Sequence, residues 1–361
     1  MGENGGSVST LTDRSVTPGV PFPGGIDGFL GRSVLVTGGA GFIGSSLCRV
    51  LARSGAQVRV VDDLTTGSRA NLPDDADTGP GTVELVVADV RDDVAVHQAC
   101  VDAEIVFHLA CLGVRHSLSE PGENFDVNAT GSLCVLEAAR RAGVSRIVHV
   151  SSSEVYGDAV CAPMTERHPT RPHTVYGAGK LAGETCALAL WRTHGLDAVV
   201  IRPFNAYGPR SHAEGDSGEV IPRFLVQALE GDPLHVFGSG DQTRDFTHVY
   251  DTATTIARAG LASDVGGRTF NVGSGREVSI AEVARTIVAM TGSASPIVHA
   301  APRPGDVARL IADSTEAARV LGHRPVVELA DGLSDLARRL QALTPPAFAA
   351  LAGAVDACNW R

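Results

Sequence analysis

No C-x-x-C pair occurs anywhere in the 361 residues. The seven cysteines, at 48, 100, 111, 134, 161, 186 and 358, are odd in number and scattered, which argues against a disulfide framework or a zinc site and predicts reduced thiols in a cytoplasmic setting, with no metal. Positive charge is also scarce: 30 Lys plus Arg stand against 41 Asp plus Glu, a net charge of −11. Such a chain repels a phosphate backbone, so nucleic acid is not an expected partner, although a local basic pocket for a small phosphate ligand is compatible with it. No apolar run approaches the roughly 18–20 residues that a membrane helix needs. The first thirty residues lack a basic start followed by an apolar core and do not read as a signal peptide; rich in Gly, Ser, Thr and Pro, residues 1–30 are expected to form a flexible leader.

What is present fits an enzyme-sized globular protein, 43% hydrophobic and 20% charged, able to bury one large core or a core with a smaller lobe. Short apolar runs at 33–37, 57–63, 83–89, 104–110, 146–152 and 198–203 read as strands. Segments of helical periodicity at 92–101, 131–143 and 176–194 alternate with them. That alternation predicts an α/β fold, a doubly wound parallel sheet covered on both faces, over residues 31–203. After about 204 the alternation weakens into shorter elements. A smaller α/β lobe is expected over 204–340, with some return to the sheet, and 341–361 form an alanine-rich C-terminal tail. Within the lobe, 221–231 reads as a helix, HVFG and TFNVG as short strands, and 279–292 as a helix whose Ser279 cap and Glu282 make a capping box.

In TGGAGFIG, Gly38, Gly41 and Gly44 fall between a predicted strand and a predicted helix, where backbone N–H groups must approach a pyrophosphate at the helix N-terminus. Asp62 ends the second strand, placed to accept hydrogen bonds from an adenosine ribose and to repel a 2′-phosphate, which favours NAD over NADP. Asp89 and Val90, at the end of the third strand, are placed to touch adenine, with a simple turn the alternative for Asp89. Tyr176 and Lys180 lie one helical turn apart on one face. A tyrosine has a pKa near 10, but an adjacent ammonium stabilises its phenolate, so the pair suits removal of a hydroxyl proton while hydride leaves the same carbon.

TGGAGFIG, the strand-end Asp62, HLA at 108–110, SSSEVYG at 151–157, YGAGK and RPFNAYGPR stand in the order found in extended short-chain dehydrogenases/reductases. Over roughly residues 31–340 the chain resembles that superfamily, which includes nucleotide-sugar epimerases, decarboxylases and dehydratases and has a Rossmann-type NAD domain. The resemblance implies Tyr176 as the base, Lys180 as its activator and a cofactor ribose contact, and Ser152 as the hydroxyl bonded to the reacting sugar oxygen. It places Phe42, Ile43 and Leu109 with the glycines around NAD. It places Ser153, Asn205, Arg244, Arg303 and Asp306 around a nucleotide sugar, expected to be UDP-linked. It also implies a homodimer through the helices around 123–141 and 176–194.

The reaction is read from the residues after Ser152. Resembling 4,6-dehydratases carry an Asp-Glu pair where this chain has Ser153-Glu154, and serine cannot replace a carboxylic acid, which argues against 4,6-dehydration. S-E-V-Y-G-D resembles uronic acid decarboxylases, whereas GVRHSL, with Arg115, and Arg210 in YGPR resemble uronic acid 4-epimerases, with a loop anchor the alternative for Arg210 and a solvated or structurally paired carboxylate that for Glu154; Asn205 stands where those epimerases have threonine. The leading expectation is an NAD-dependent 4-epimerase of a UDP-hexose or UDP-hexuronic acid working through a 4-keto sugar. A decarboxylase or dehydratase that uses Glu154 is the alternative; a cofactor-sensing module and an oxidoreductase exchanging free NADH stand further off.

Overall fold

A computed structural model describes residues 19–74, 77–215 and 218–355. Seven strands form its central sheet: β1 (Ser33–Thr37), β2 (Gln57–Asp62), β3 (Thr82–Val87), β4 (Ile105–His108), β5 (Arg146–Val150), β6 (Ala198–Pro203) and β7 (Thr269–Val272). They pair in parallel in the order β7-β6-β5-β4-β1-β2-β3. Val34 and Val36 of β1 lie beside Val58 and Val60 of β2 and beside Ile105 and Phe107 of β4. These side chains meet one helical layer, including Leu47, Leu51, Ala253 and Ile256. The alternate positions, Leu35, Val106, Ile147 and Val200, meet Val135, Leu136, Ala187 and Leu190 on the other face. Burial on both faces is why the strands read as unbroken apolar runs.

Strand order reverses between β1 and β4, and that reversal opens a crevice beyond their carboxyl ends. Strands β3, β4 and β5 each end two residues before the predicted limit. The surplus residues, Ala88 and Asp89, Leu109 and Ala110, Ser151 and Ser152, all line the cleft there.

Residues from 204 onward divide mainly between two cores. The helix Val249–Leu261 and β7 return to the main sheet, where Ala253, Ile256, Phe270 and Val272 are buried. A second core gathers Phe224, Leu225, Leu234, Val236, Val283, Ile287, Leu333 and Leu336. It joins the helices Val220–Glu230, Ile280–Thr291 and Leu329–Gln341 to the parallel pair Leu234–Phe237 and Ile297–Ala300. Ser279 Oγ accepts from the Glu282 N–H at the start of the second of these helices. In the tail, the helix Pro345–Gly353 buries Leu351 against the same core.

The leader expected over 1–30 needs correction for its described part. Residues 19–30 pack onto the body; residues 1–18 lie outside the described residues. The N–H groups of Gly19 and Val20 reach Asp335 Oδ1 at 2.8 and 3.4 Å, and that of Ile26 reaches Ser54 Oγ at 2.8 Å. The Phe22 ring sits edge-on to Tyr250 at 4.7 Å, with the Arg53 guanidinium over it. Phe29 is fully buried beside Phe107. Phe29→Ala should therefore lower unfolding stability by about 3–5 kcal/mol, read as a lower urea midpoint at unchanged slope; a change near zero would show that this segment lies outside the cooperative fold.

Candidate active site

The crevice beyond β1 and β4 widens into a cleft of about 410 Å³ that runs between the sheet and the second core. At the sheet end, β1 runs through Gly38, Gly41 and Gly44 into the helix Phe42–Arg53. Gly38 adopts φ +71°, and a Cβ there would meet the Ala110 nitrogen at 2.6 Å. A Cβ on Gly44 would lie 2.0 Å from the Gly38 carbonyl oxygen. No side chain caps this helix, and its first turn holds no acidic residue, so its free N–H groups and positive end face the cleft. Asp62 ends β2 and lines the cleft. Its Oδ2 accepts from the Ala40 N–H and its Oδ1 from the Leu64 N–H, both at 2.9 Å. The carboxylate thus ties the glycine turn to β2 while facing the cleft; burial raises its pKa against the pull of those two donors. Asp89 and Val90 line the cleft as well. Asp89 is engaged by the Arg91 guanidinium fork, which holds its carboxyl below the ordinary value.

At the reacting centre, the helix Val175–His194 starts from a Thr174 cap that accepts from the Gly177 N–H. That start sets Tyr176 and Lys180 against the ends of β5 and β6. Lys180 is the chain's single lysine, 29 of the 30 basic side chains being arginine. Its ammonium is buried and donates to the Val150 carbonyl at 2.6 Å. Burial lowers its pKa, while Cys111 and Glu184 act in the opposite direction. Tyr176 is half-buried and opens on the cleft. Surrounding protein raises its pKa, as do Cys111, Glu154 and Glu219, whereas a hydrogen bond with the Ser152 hydroxyl favours the phenolate. Ser152 also caps the short turn 153–155, accepting from the Glu154 N–H at 3.2 Å. Glu154 lines the same wall, its pKa raised by burial and restrained by Arg244 and Arg303.

Behind this wall lies a buried polar network. Arg202 of β6 donates from Nε to Glu184 Oε2 at 3.0 Å and from Nη1 to the Tyr156 hydroxyl at 2.7 Å. Tyr156 in turn donates to Asn271 Oδ1 at 2.7 Å. The helix of Tyr176, the SSSEVYG segment, β6 and β7 are thereby joined through one set of charge-assisted bonds.

At the far end of the cleft, Asp306 Oδ1 accepts from both Arg244, at 2.5 Å, and Arg303, at 2.8 Å. Two guanidinium groups thus share one carboxylate and leave donors for an anionic ligand. Ser153 and Asn205 also line the cleft, with Asn205 Oδ1 buried and unpartnered among the described residues. Arg115 stands on a segment clamped by Asn124 and Asn128, whose amides bond to Leu112 and Gly113. Its Nε is buried without a hydrogen-bond partner, and burial together with Arg303 brings its pKa down to about 9.

One expected substrate residue is elsewhere. Arg210, at φ +69°, turns into the body and donates to Ser45 Oγ at 3.0 Å and Ser46 Oγ at 2.8 Å. It is 1% exposed and lies off the cleft wall, so its place near a substrate carboxylate is corrected to that of a loop anchor. The residues that sequence reasoning missed are Cys111, His212, Glu219 and Arg223, all on the wall. Glu219 had one readable signal, its place immediately before the helical run that starts at Val220.

Three parts now share one cleft: a glycine turn with an open helix end, a Ser-Tyr-Lys wall and a basic far end. Residues 34–273 match the model of the NAD dependent epimerase/dehydratase family, and the chain belongs to that family. Among relatives it is 39% identical over 303 residues to the UDP-glucose 4-epimerase of Mycolicibacterium smegmatis, covering 83% of this chain and 96% of that one. It is 36% identical over 309 residues to the dTDP-glucose 4,6-dehydratase of Streptomyces niveus, covering 83% and 90%. A solved UDP-glucose 4-epimerase of Thermotoga maritima with UDP-glucose aligns at TM-score 0.80 and 31% identity, covering 86% of this chain and 98% of that one. MoeE5, solved with UDP-glucuronic acid and NAD, aligns at 0.78 and 34%, covering 86% and 99%. The relatives are enzymes of the epimerase, dehydratase and decarboxylase reactions, and the family's cofactor is NAD.

Two outcomes follow from the geometry. Gly44→Ala should abolish NAD retention by the purified protein while leaving far-UV circular dichroism native; full retention would show that the turn does not hold the pyrophosphate. In protein freed of cofactor, the phenolate of Tyr176 is penalised by burial, so the difference between wild-type and Tyr176→Phe absorbance titrations should place its ionisation above pH ~10; a step near neutral pH would contradict that environment.

Proposed function

We propose that the protein is an NAD-dependent 4-epimerase of a UDP-linked hexose or hexuronic acid. The observation that carries the reading is the convergence of Ser152, Tyr176 and Lys180 on one wall of the cleft, with a serine, Ser153, where a dehydratase needs an acid. NAD fits the uncapped glycine turn, and when bound there it takes up hydride and returns it. The remaining chemistry belongs to the chain. Ser152 holds the sugar's 4-oxygen, and Tyr176 removes its proton as the carbon is oxidised. Lys180, seated on the Val150 carbonyl one helical turn from Tyr176, is its activator and supplies the ammonium charge. The 4-keto sugar then turns over in the cleft, hydride comes back to its other face, and Tyr176 returns the proton. Arg244 and Arg303 hold the diphosphate through the donors that Asp306 leaves free. No net redox change accumulates, so the cofactor is retained between turnovers.

A decarboxylase or dehydratase is the second reading, favoured by Glu154. Its carboxyl lies on the catalytic wall, within the electrostatic reach of Tyr176 and with its neutral form favoured by burial. The relatives include a UDP-glucuronic acid decarboxylase of Xenopus tropicalis at 35% identity. The assembly that accompanies the leading reading is a cytoplasmic homodimer, and the exposed Phe125, Leu133 and Trp191 on the two helical stretches support that pairing. Among the described residues no helix is long and apolar enough to cross a membrane.

Incubation with UDP-glucose, UDP-glucuronate and their N-acetyl analogues, followed by mass and proton-coupling analysis, tests the assignment. A product of unchanged mass with inverted C4 couplings is expected, and loss of CO₂ or water would overturn it. Tyr176→Phe should lower turnover by about 10²–10⁴-fold while NAD stays bound, whereas wild-type turnover in this variant would remove Tyr176 from the mechanism.

A further inference from the structure

Buried polar atoms on the cleft wall that lack a hydrogen-bond partner among the described residues include Ser151 Oγ, Asn205 Oδ1 and Tyr207 Oη, and two that belong to oppositely charged, mutually interacting side chains: Arg115 Nε and Glu219 Oε2. These last two come from different parts of the fold. Arg115 sits on the Asn-clamped segment after β4, and Glu219 immediately precedes the helix Val220–Glu230, which it does not cap with its side chain. Each influences the other's ionisation, Glu219 influences Tyr176, and Arg115 is influenced by Arg303 and Asp306. The pair lines the same cleft as Tyr176, Arg303 and Asp306, within electrostatic reach of each of them.

An unpartnered guanidinium N–H asks for an acceptor, and an unpartnered carboxylate oxygen asks for a donor. A hydroxyl group supplies both at once. A ligand carboxylate supplies only acceptors: it would meet Arg115 well but bring a second negative charge against Glu219. We infer that Glu219, acting together with Arg115, is a specificity-determining residue that accepts a sugar hydroxymethyl group at C5 and rejects a carboxylate there, so that the substrate is a neutral nucleotide hexose rather than a hexuronate.

The inference rests on the 4-epimerase reading through one geometric point. The carbons on either side of C4 are C3, which bears a hydroxyl in these sugars, and C5, which bears hydroxymethyl in a hexose and carboxylate in a hexuronate. Because the keto sugar turns over between the two hydride transfers, a wall residue near C4 faces the C3 side in one orientation and the C5 side in the other. A C5 carboxylate thus meets Glu219 during every complete turnover. Arg210, the other cation suited to such a carboxylate, is turned away toward Ser45 and Ser46.

The groups facing Glu219 are Arg115 from the segment after β4, His212 and Glu214 from the loop before its helix, and Tyr176 across the cleft; Arg223 lies one turn along its own helix. Burial raises the Glu219 carboxyl to about 7, with His212 and Arg115 opposing and Glu214 adding to the rise. Burial pulls His212 down, but its bond to Glu214, at 3.2 Å, and the charges of Glu219 and Glu214 together hold it above its ordinary value. Ionised Glu219 increases as pH rises, so rejection of a carboxylate should deepen in the same direction.

The test compares kcat/KM for UDP-glucose and UDP-glucuronate in the NAD-loaded wild type and in Glu219→Gln, which keeps the shape and removes the charge. Wild type should prefer UDP-glucose, with the preference growing between about pH 6 and about pH 8. Glu219→Gln should shift the ratio toward UDP-glucuronate by about tenfold or more and flatten its pH dependence. Equal loss on both sugars, as a purely structural helix-start residue would give, overturns the inference, as does a wild-type preference for UDP-glucuronate. If neither sugar is epimerised, the proposed reaction falls by itself and the ratio of the two dissociation constants is read instead. There, a relative gain for UDP-glucuronate in Glu219→Gln, or in Glu219→Ala should the glutamine variant fold poorly, supports the pair. An unchanged ratio, or no binding of either sugar, sinks it.

Discussion

A single buried guanidinium–carboxylate pair, Arg202 with Glu184, holds the catalytic wall in register. Glu184 lies one turn beyond Lys180 and two beyond Tyr176 on the same helix, and Arg202 belongs to β6. The pair is nearly free of solvent, at 6% and 3% side-chain exposure, so either charge alone would be costly to bury. Its spare donor reaches Tyr156, which continues to Asn271 on β7. Helix, catalytic segment and two strands are thereby fixed relative to one another by bonds that tolerate little displacement, and Lys180 on the Val150 carbonyl adds one more. Ser152 and Tyr176 stand on segments that this network joins.

Under the proposed function the two ends of the cleft handle anionic ligands differently. At the sheet end the work falls to backbone: an open helix start, a turn in which side chains would collide, and Asp62 bracing that turn through Ala40. At the far end it falls to arginines whose charge is partly neutralised, Arg244 and Arg303 sharing Asp306. On that reading a chain of net charge −11 binds a doubly anionic diphosphate without a basic surface, since the needed cations are local and held in place by a carboxylate that prevents them from repelling each other apart.

Much of this arrangement was legible in the sequence because it is local. Strands β1 to β6 announce themselves as apolar runs since both faces are buried, and the glycine turn is visible because spacing alone places it between strand and helix. The parts that were not legible depend on contacts far apart in the chain. The segment 19–30 has the composition of a loose leader, yet it is held by Asp335, more than 300 residues away, and by the pocket that takes Phe29. Arg210 sits in a motif that suggests a cleft position, but its positive φ turns it toward the serines of the first helix. Glu219 belongs to no motif, and only the fold reveals that its oxygen has no partner.

The arginine-rich composition gives Lys180 a further meaning. Elsewhere the chain carries its positive charge as guanidinium, planar and permanently protonated, whereas the one buried site against Val150 holds a compact ammonium whose pKa is free to move. Apart from the chain's own terminus, every primary amine of the protein is therefore that one atom. Acylation, reductive alkylation and isotope labelling at amino groups, which on most proteins scatter over the surface, become on this one a direct report of how often the floor of the cleft is uncovered.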